Sequence, residues 1–195
     1  MLQFSLALWE AIIASVFLIP LFLYLHTTRF HSRRKTLKYV LFAFYLSGVY
    51  AVAGLPNITY IRFRPNINLE PFLYMFSAFS TSFLNVILFL PFGFFSTLLW
   101  KRFRNPFWNV LTGFGVSLSI ELLQLFTFRA TDINDLITNA FGTFLGWILG
   151  RILIHFVPES GLENPLSDLA LVLKTVFCVM FFFQPVFASL LRQLF

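Results

Sequence analysis

Charge is what this chain has least of. Lys, Arg, Asp and Glu make up 11% of its 195 residues against 58% hydrophobic ones, too little polar surface to coat an ordinary soluble domain. Cysteine is nearly absent: Cys178 stands alone, which excludes an internal disulfide. His26, His31 and His155 lie at no ligand-like spacing from it, so neither a metal site nor a Cys–His pair is expected. No nucleophile motif, P-loop or metal triad occurs, and no cofactor is expected. The formal charge of +6 does not signal nucleic acid, because the basic residues fall between apolar blocks and build no extended basic face. Internal repeats and Pro- or Ser-rich linkers are missing too, which argues against an inverted-repeat transporter and against a second domain.

What the chain has is long apolar runs, several reaching the roughly 20 residues a helix needs to cross the hydrocarbon core. They predict an all-α, polytopic helical membrane bundle, a single transmembrane domain over residues 1–195 with the lipid bilayer as its solvent. Six spans are expected: Leu6 to Leu25, Tyr39 to Leu55, Ser82 to Trp100, Phe107 to Phe126, Asp132 to His155, and Leu169 to Leu191, which carries Lys174 near one end. The first run lacks a basic start and a small-residue cleavage site, so it is read as a retained span rather than a signal peptide. Arg29, Arg33, Arg34, Lys35 and Lys38, then Lys101, Arg102 and Arg104, then Arg151 mark the cytoplasmic side by the positive-inside rule. Both termini, the loop from Pro56 to Thr81 and the connection around Arg129 then lie outside, with Arg62, Arg64 and Arg129 as exceptions on that side.

Polar groups inside a membrane are expensive, so each needs a partner or a task. On helix four Gly113, Ser117, Glu121 and Gln124 recur at steps of four, four and three, one helical face. On helix five Asp135, Asn139, Gly142, Gly146 and Gly150 do the same, polar towards the outside and glycine-lined deeper, a small-residue packing face. A tight antiparallel hairpin turning near residue 130 would pair Gln124 with Asp135, Glu121 with Asn139, Ser117 with Gly142 and Gly113 with Gly146. Glu121 is then either a protonated carboxyl bonded across helices to Asn139 or a functional group. Asp132 and Asp135 stand at the N-cap and third position of helix five, and for Asp132 capping is the preferred role. Arg129 either neutralises these aspartates or forks a phosphate or carboxylate. Asn85 lies near the outer end of helix three, where Pro91 and Gly93 predict a kink. In the outer loop Asn66, Asn68 and Glu70 precede Pro71-Phe72 and the apolar run Leu73 to Phe76, which predicts a short interfacial or re-entrant segment.

Taken in order, four strings resemble the VanZ-like family of membrane proteins associated with teicoplanin resistance. They are Asn68-Leu69-Glu70-Pro71-Phe72; Asn85 with Phe89, Pro91 and Gly93; Glu121 with Gln124; and Arg129, Asp132, Asp135, Asn139, Gly142 and Gly146. Glu70 departs from the pattern, where an apolar residue is expected. The resemblance covers a core of about residues 39–155 and leaves helices 6–25 and 169–191 as additions. It implies a multi-pass protein of the bacterial cytoplasmic membrane, lowering susceptibility to lipophilic glycopeptides. The reading favoured is a non-enzymatic factor whose outward-facing polar residues, Asn68, Asn85, Glu121, Gln124, Arg129, Asp132, Asp135 and Asn139, bind a lipid-linked envelope precursor or a glycopeptide. The alternative is an intramembrane hydrolase or transferase acting on a lipid-linked phosphate or ester, with Glu121 or Asp135 as general acid or base and Arg129 stabilising negative charge. The sequence does not fix an oligomeric state.

Overall fold

The structure is a computed structural model that describes residues 2–72, 79–154 and 165–194. It is built almost wholly of helices: α1 (Leu2–Leu25), α2 (Arg33–Val52), α3 (Phe79–Leu99), α4 (Pro106–Gln124), α5 (Ile133–Leu153), α6 (Pro165–Cys178) and α7 (Gln184–Leu194). A π turn, His26–Phe30, extends α1, and another, Val179–Phe183, joins α6 to α7. Four stretches, Leu6–Phe30, Phe79–Leu99, Ile133–Leu153 and Leu166–Leu191, are long and apolar enough to cross a membrane by length and composition. The chain is thus an all-α membrane protein.

The start of α2 departs furthest from the sequence expectation. α2 begins at Arg33, not Tyr39, because a run of Arg and Lys has good helix propensity and its charge is no obstacle where the helix leaves the membrane. α3 runs as one helix through Pro91, as the expected third span does. The apolar run Leu73 to Phe76 and the expected end of the fifth span at His155 lie outside the described residues.

The chain divides into two compact units, Met1–Arg62 with Ser167–Phe195, and Phe63–Leu166. In the first, Ala7, Ala11, Ala14, Leu18 and Phe22 form the buried face of α1, at the three- and four-residue steps of one helix stripe. Tyr39, Phe42, Ala43, Leu46 and Val49 of α2 and Leu169, Val172, Val176 and Met180 of the α6 region complete this core. Asp168, 4% exposed, accepts a hydrogen bond from the Tyr39 hydroxyl at 2.6 Å and faces Lys35 at 3.1 Å and Arg29 at 3.7 Å.

In the second unit α5 lies closest to α3. A Cβ on Gly142 would overlap the Val86 carbonyl oxygen, one on Gly146 the Leu90 carbonyl oxygen, and one on Gly93 the Thr143 carbonyl oxygen. Gly150 meets the Thr97 side chain. The glycine face of α5 therefore receives α3, where the hairpin expectation had turned it to α4. α4 reaches α5 through Ser117, whose hydroxyl accepts from Asn139 Nδ2 at 2.9 Å, and through Gly113 against Thr143. Both partners lie three residues earlier on α5 than the tight-hairpin register predicts. The connection explains this: Thr131–Asp132 is extended, and an extended residue covers about 3.3 Å against 1.5 Å in a helix, so α5 starts deeper.

Candidate functional site

At one end of α3, α4 and α5 the polar residues converge under a segment that precedes α3. Two short strands, β1 (Ile67–Asn68) and β2 (Thr131–Asp132), pair in parallel, and the Thr131 N–H donates to Asn66 O at 2.8 Å. Asp132 ends β2 and caps α5, its Oδ1 accepting from the Asn134 N–H at 2.9 Å. Its Oδ2 accepts from Asn68 Nδ2 at 3.1 Å. The Asp132 N–H donates to Glu121 Oε2 at 2.8 Å, and the Thr131 hydroxyl to the Glu121 carbonyl at 2.9 Å. Glu121, 2% exposed, thus holds the segment ahead of α5 twice, the Asp132 amide by its side chain and the Thr131 hydroxyl by its main chain.

Asn134 fastens the other side. Its Nδ2 donates to Glu70 O at 3.2 Å and its Oδ1 accepts from the Phe72 N–H at 2.7 Å, while Glu70 N–H donates to Asn68 Oδ1 at 3.1 Å. Phe72 has φ 64°, a left-handed backbone that a bulky residue adopts only when its surroundings hold it there. Asn134, buried at 5%, is one partner that does so.

Asp135 is differently placed. Asn85 Nδ2 of α3 donates to its Oδ1 at 2.6 Å, and among the described residues this is the only donor to that carboxyl group. The charges of Asp132, Asp135 and Arg129 all act on Glu121, so the three carboxyl groups and the exposed Arg129 share one local field. Arg129 donates its N–H to the Thr127 hydroxyl at 3.2 Å. Gln124 is buried at 6%, and its carbonyl accepts from the Thr127 N–H and hydroxyl at 2.9 Å each. Asn139 does not meet Glu121: its Nδ2 goes to Ser117, and its buried Oδ1 accepts no hydrogen bond among the described residues. The structure brings Asn68, Glu121, Asp132 and, through Asn85, Asp135 to one end, and leaves Asn139, Gly142, Gly146 and Gly150 deeper as contacts between helices.

A family model described as VanZ/LLP1 matches residues 11–158. The chain belongs to the VanZ/LLP1 family. The match begins within α1, well before the core expected from residue 39. Protein VanZ of Enterococcus faecium is 40% identical over 117 residues, which is 58% of this chain and 70% of that relative. No solved structure matches. The polar end lies wholly inside the matched span.

Two polar residues inside the family span escaped the sequence reading. Asn134 was passed over because it is off the face that Asp135 and Asn139 define. Asn109, fully buried, lies at the opposite end of α4, its Nδ2 within reach of Ser96 Oγ and Thr97 Oγ1 at 2.9 Å, Phe103 O at 3.0 Å and Gly93 O at 3.3 Å. It ties α3 to α4 across the short turn Lys101–Arg104. An asparagine inside an apolar helix was the available signal.

Proposed function

We propose that this chain spans the bacterial cytoplasmic membrane six times, with both termini and the polar end of α3, α4 and α5 on the outer side. That end binds the polar part of an amphiphile at the outer leaflet without transforming it: a lipid-linked envelope precursor or a lipophilic glycopeptide. α2 and α4, of 20 and 19 residues, would rise about 30 Å each, enough to cross with the other four. The observation that carries the reading is the convergence of Asn68, Asn85, Glu121, Asp132, Asn134 and Asp135 at one end of helices whose outer surfaces expose Phe83, Leu84, Leu118 and Leu122. Polar groups at that cost favour a ligand-facing role for whichever of them keeps spare hydrogen-bonding capacity, and Asp135 has it. Three carboxyl groups against Arg129 favour hydrogen-bond donors over bare phosphate, so the sugar or peptide portion of the amphiphile is the part held here. The family supports this reading through its association with teicoplanin resistance.

The enzyme reading draws on Asp135 lying within the field of Arg129. Against it, both carboxyl oxygens of Asp132 and Oε2 of Glu121 accept from backbone amides or an Asn side chain, a use that fixes loops rather than moves protons. The test is teicoplanin and vancomycin susceptibility of a sensitive Gram-positive host expressing the wild type, Asp135→Asn or Glu121→Gln, with membrane levels measured. The expected result is a teicoplanin-selective shift that normally accumulating Asp135→Asn reduces in part. No shift from the wild type refutes the glycopeptide reading. Complete loss in both variants at full membrane levels favours the enzyme.

A further inference from the structure

The first unit carries a second feature, independent of the polar end. Arg29 lies in the turn that extends α1, and Arg33, Arg34, Lys35 and Lys38 lie in the first two turns of α2. Asp168 answers Lys35 and Arg29, and Lys35 also lies over the rings of Phe30 and Tyr39 at 5.4 and 5.6 Å. Arg33, Arg34 and Lys38 have no ion pair among the described residues, so five cations stand against one carboxylate. Sorting charges across a membrane asks only that cations lie on one side. It does not ask for their arrangement here.

Arg33, Arg34 and Lys35 open α2, with no acidic residue in its first turn and no side-chain hydrogen bond from Ser32 at the cap. Three cations at the positive end of a helix dipole repel it, and the Ser32 side chain accepts from none of its first N–H groups. An anion there would relieve both. Directly along the helix from Arg33, at four-residue steps, stand Leu37 at 60% and Leu41 at 50% exposed, followed by Phe44 at 38%. Lys38 stands one turn from Arg34. One face of α2 thus runs from the exposed Arg33 and Arg34 and the half-buried Lys38, none of them ion-paired among the described residues, into an exposed apolar stripe. That order matches a phospholipid standing beside the helix, its phosphate among the cations and its acyl chain on the leucines.

We propose that this face of α2 is a binding site for an acidic phospholipid of the leaflet on the side of the α1–α2 turn. The full chain is purified in detergent and titrated with phosphatidylglycerol, phosphatidylcholine or inorganic phosphate, with bound lipid read by native mass spectrometry and stability by Tm. Phosphatidylglycerol is expected to bind and raise Tm in a salt-sensitive way, and the other two are not. The combined variant Arg33→Gln, Arg34→Gln, Lys38→Gln is expected to bind it roughly 100-fold more weakly. The wild-type comparison stands without the variant, should that fail to fold. Equal responses to the two lipids, or an undiminished response in the variant, overturn the proposal. A phosphate response matching that of phosphatidylglycerol overturns it in favour of a free-anion site.

Discussion

Gly146 sits where α5 passes nearest to α3, and replacing it with alanine tests that approach directly. The added Cβ would meet the Leu90 carbonyl oxygen and the Phe94 amide nitrogen, both backbone atoms that cannot rotate away as a flexible side chain could. The helices must separate, loosening the neighbouring contacts of Gly142 and Gly93. Overpacking of this kind costs about 1–3 kcal/mol. Gly115 on α4 provides the control, since it is exposed and nothing lies within 4 Å of the position of its Cβ. Alanine there should be neutral or gain up to about 1 kcal/mol from helix propensity. Gly146→Ala and Gly115→Ala should therefore move stability in opposite directions, or by clearly unequal amounts. Reversible unfolding of the purified proteins in one detergent, followed by the fluorescence of the four tryptophans, measures the difference. Equal stability of the two variants would refute the close α3–α5 approach.

The hydrogen bond from Asn85 to Asp135 should appear in a double-mutant cycle of Asn85→Ala and Asp135→Ala as a coupling of about 0.6–1.7 kcal/mol, the range for polar pairs between membrane helices; zero coupling would place the two side chains apart. Asn134→Ala removes both bonds to the segment before α3, so hydrogen exchange at the Phe72 amide should accelerate roughly tenfold. Unchanged exchange at Phe72 would mean that other groups hold the segment.

The helices were legible because lipid leaves the chain little choice: a long apolar run must satisfy its own backbone. The polar positions were legible for the same reason, and Asp132 as a cap follows from its place before an apolar run. The pairing of faces was not. A glycine stripe says that something approaches, not which helix, and α3 and α4 are both candidates until the exit geometry of α4 is known. The register with α4 slipped by three residues because two extended residues, Thr131 and Asp132, look like a helix start in sequence. Glu121 illustrates the limit most clearly. Its place on a polar face was readable, but its partner is a backbone amide, which every residue except proline offers alike.

The bridge between Ile67–Asn68 and Thr131–Asp132 also sets an order of events during synthesis. Asn68 leaves the ribosome 64 residues before the Asp132 carboxylate it donates to. At about 5–20 residues per second that is a wait of roughly 3–13 s, during which α3 and α4 are made while the segment ahead of them has nothing to hold. The polar end can close only when Thr131–Asp132 has been made, so a ribosome stalled before Asp132 would leave α3 and α4 complete with the Ile67–Asn68 segment unlatched.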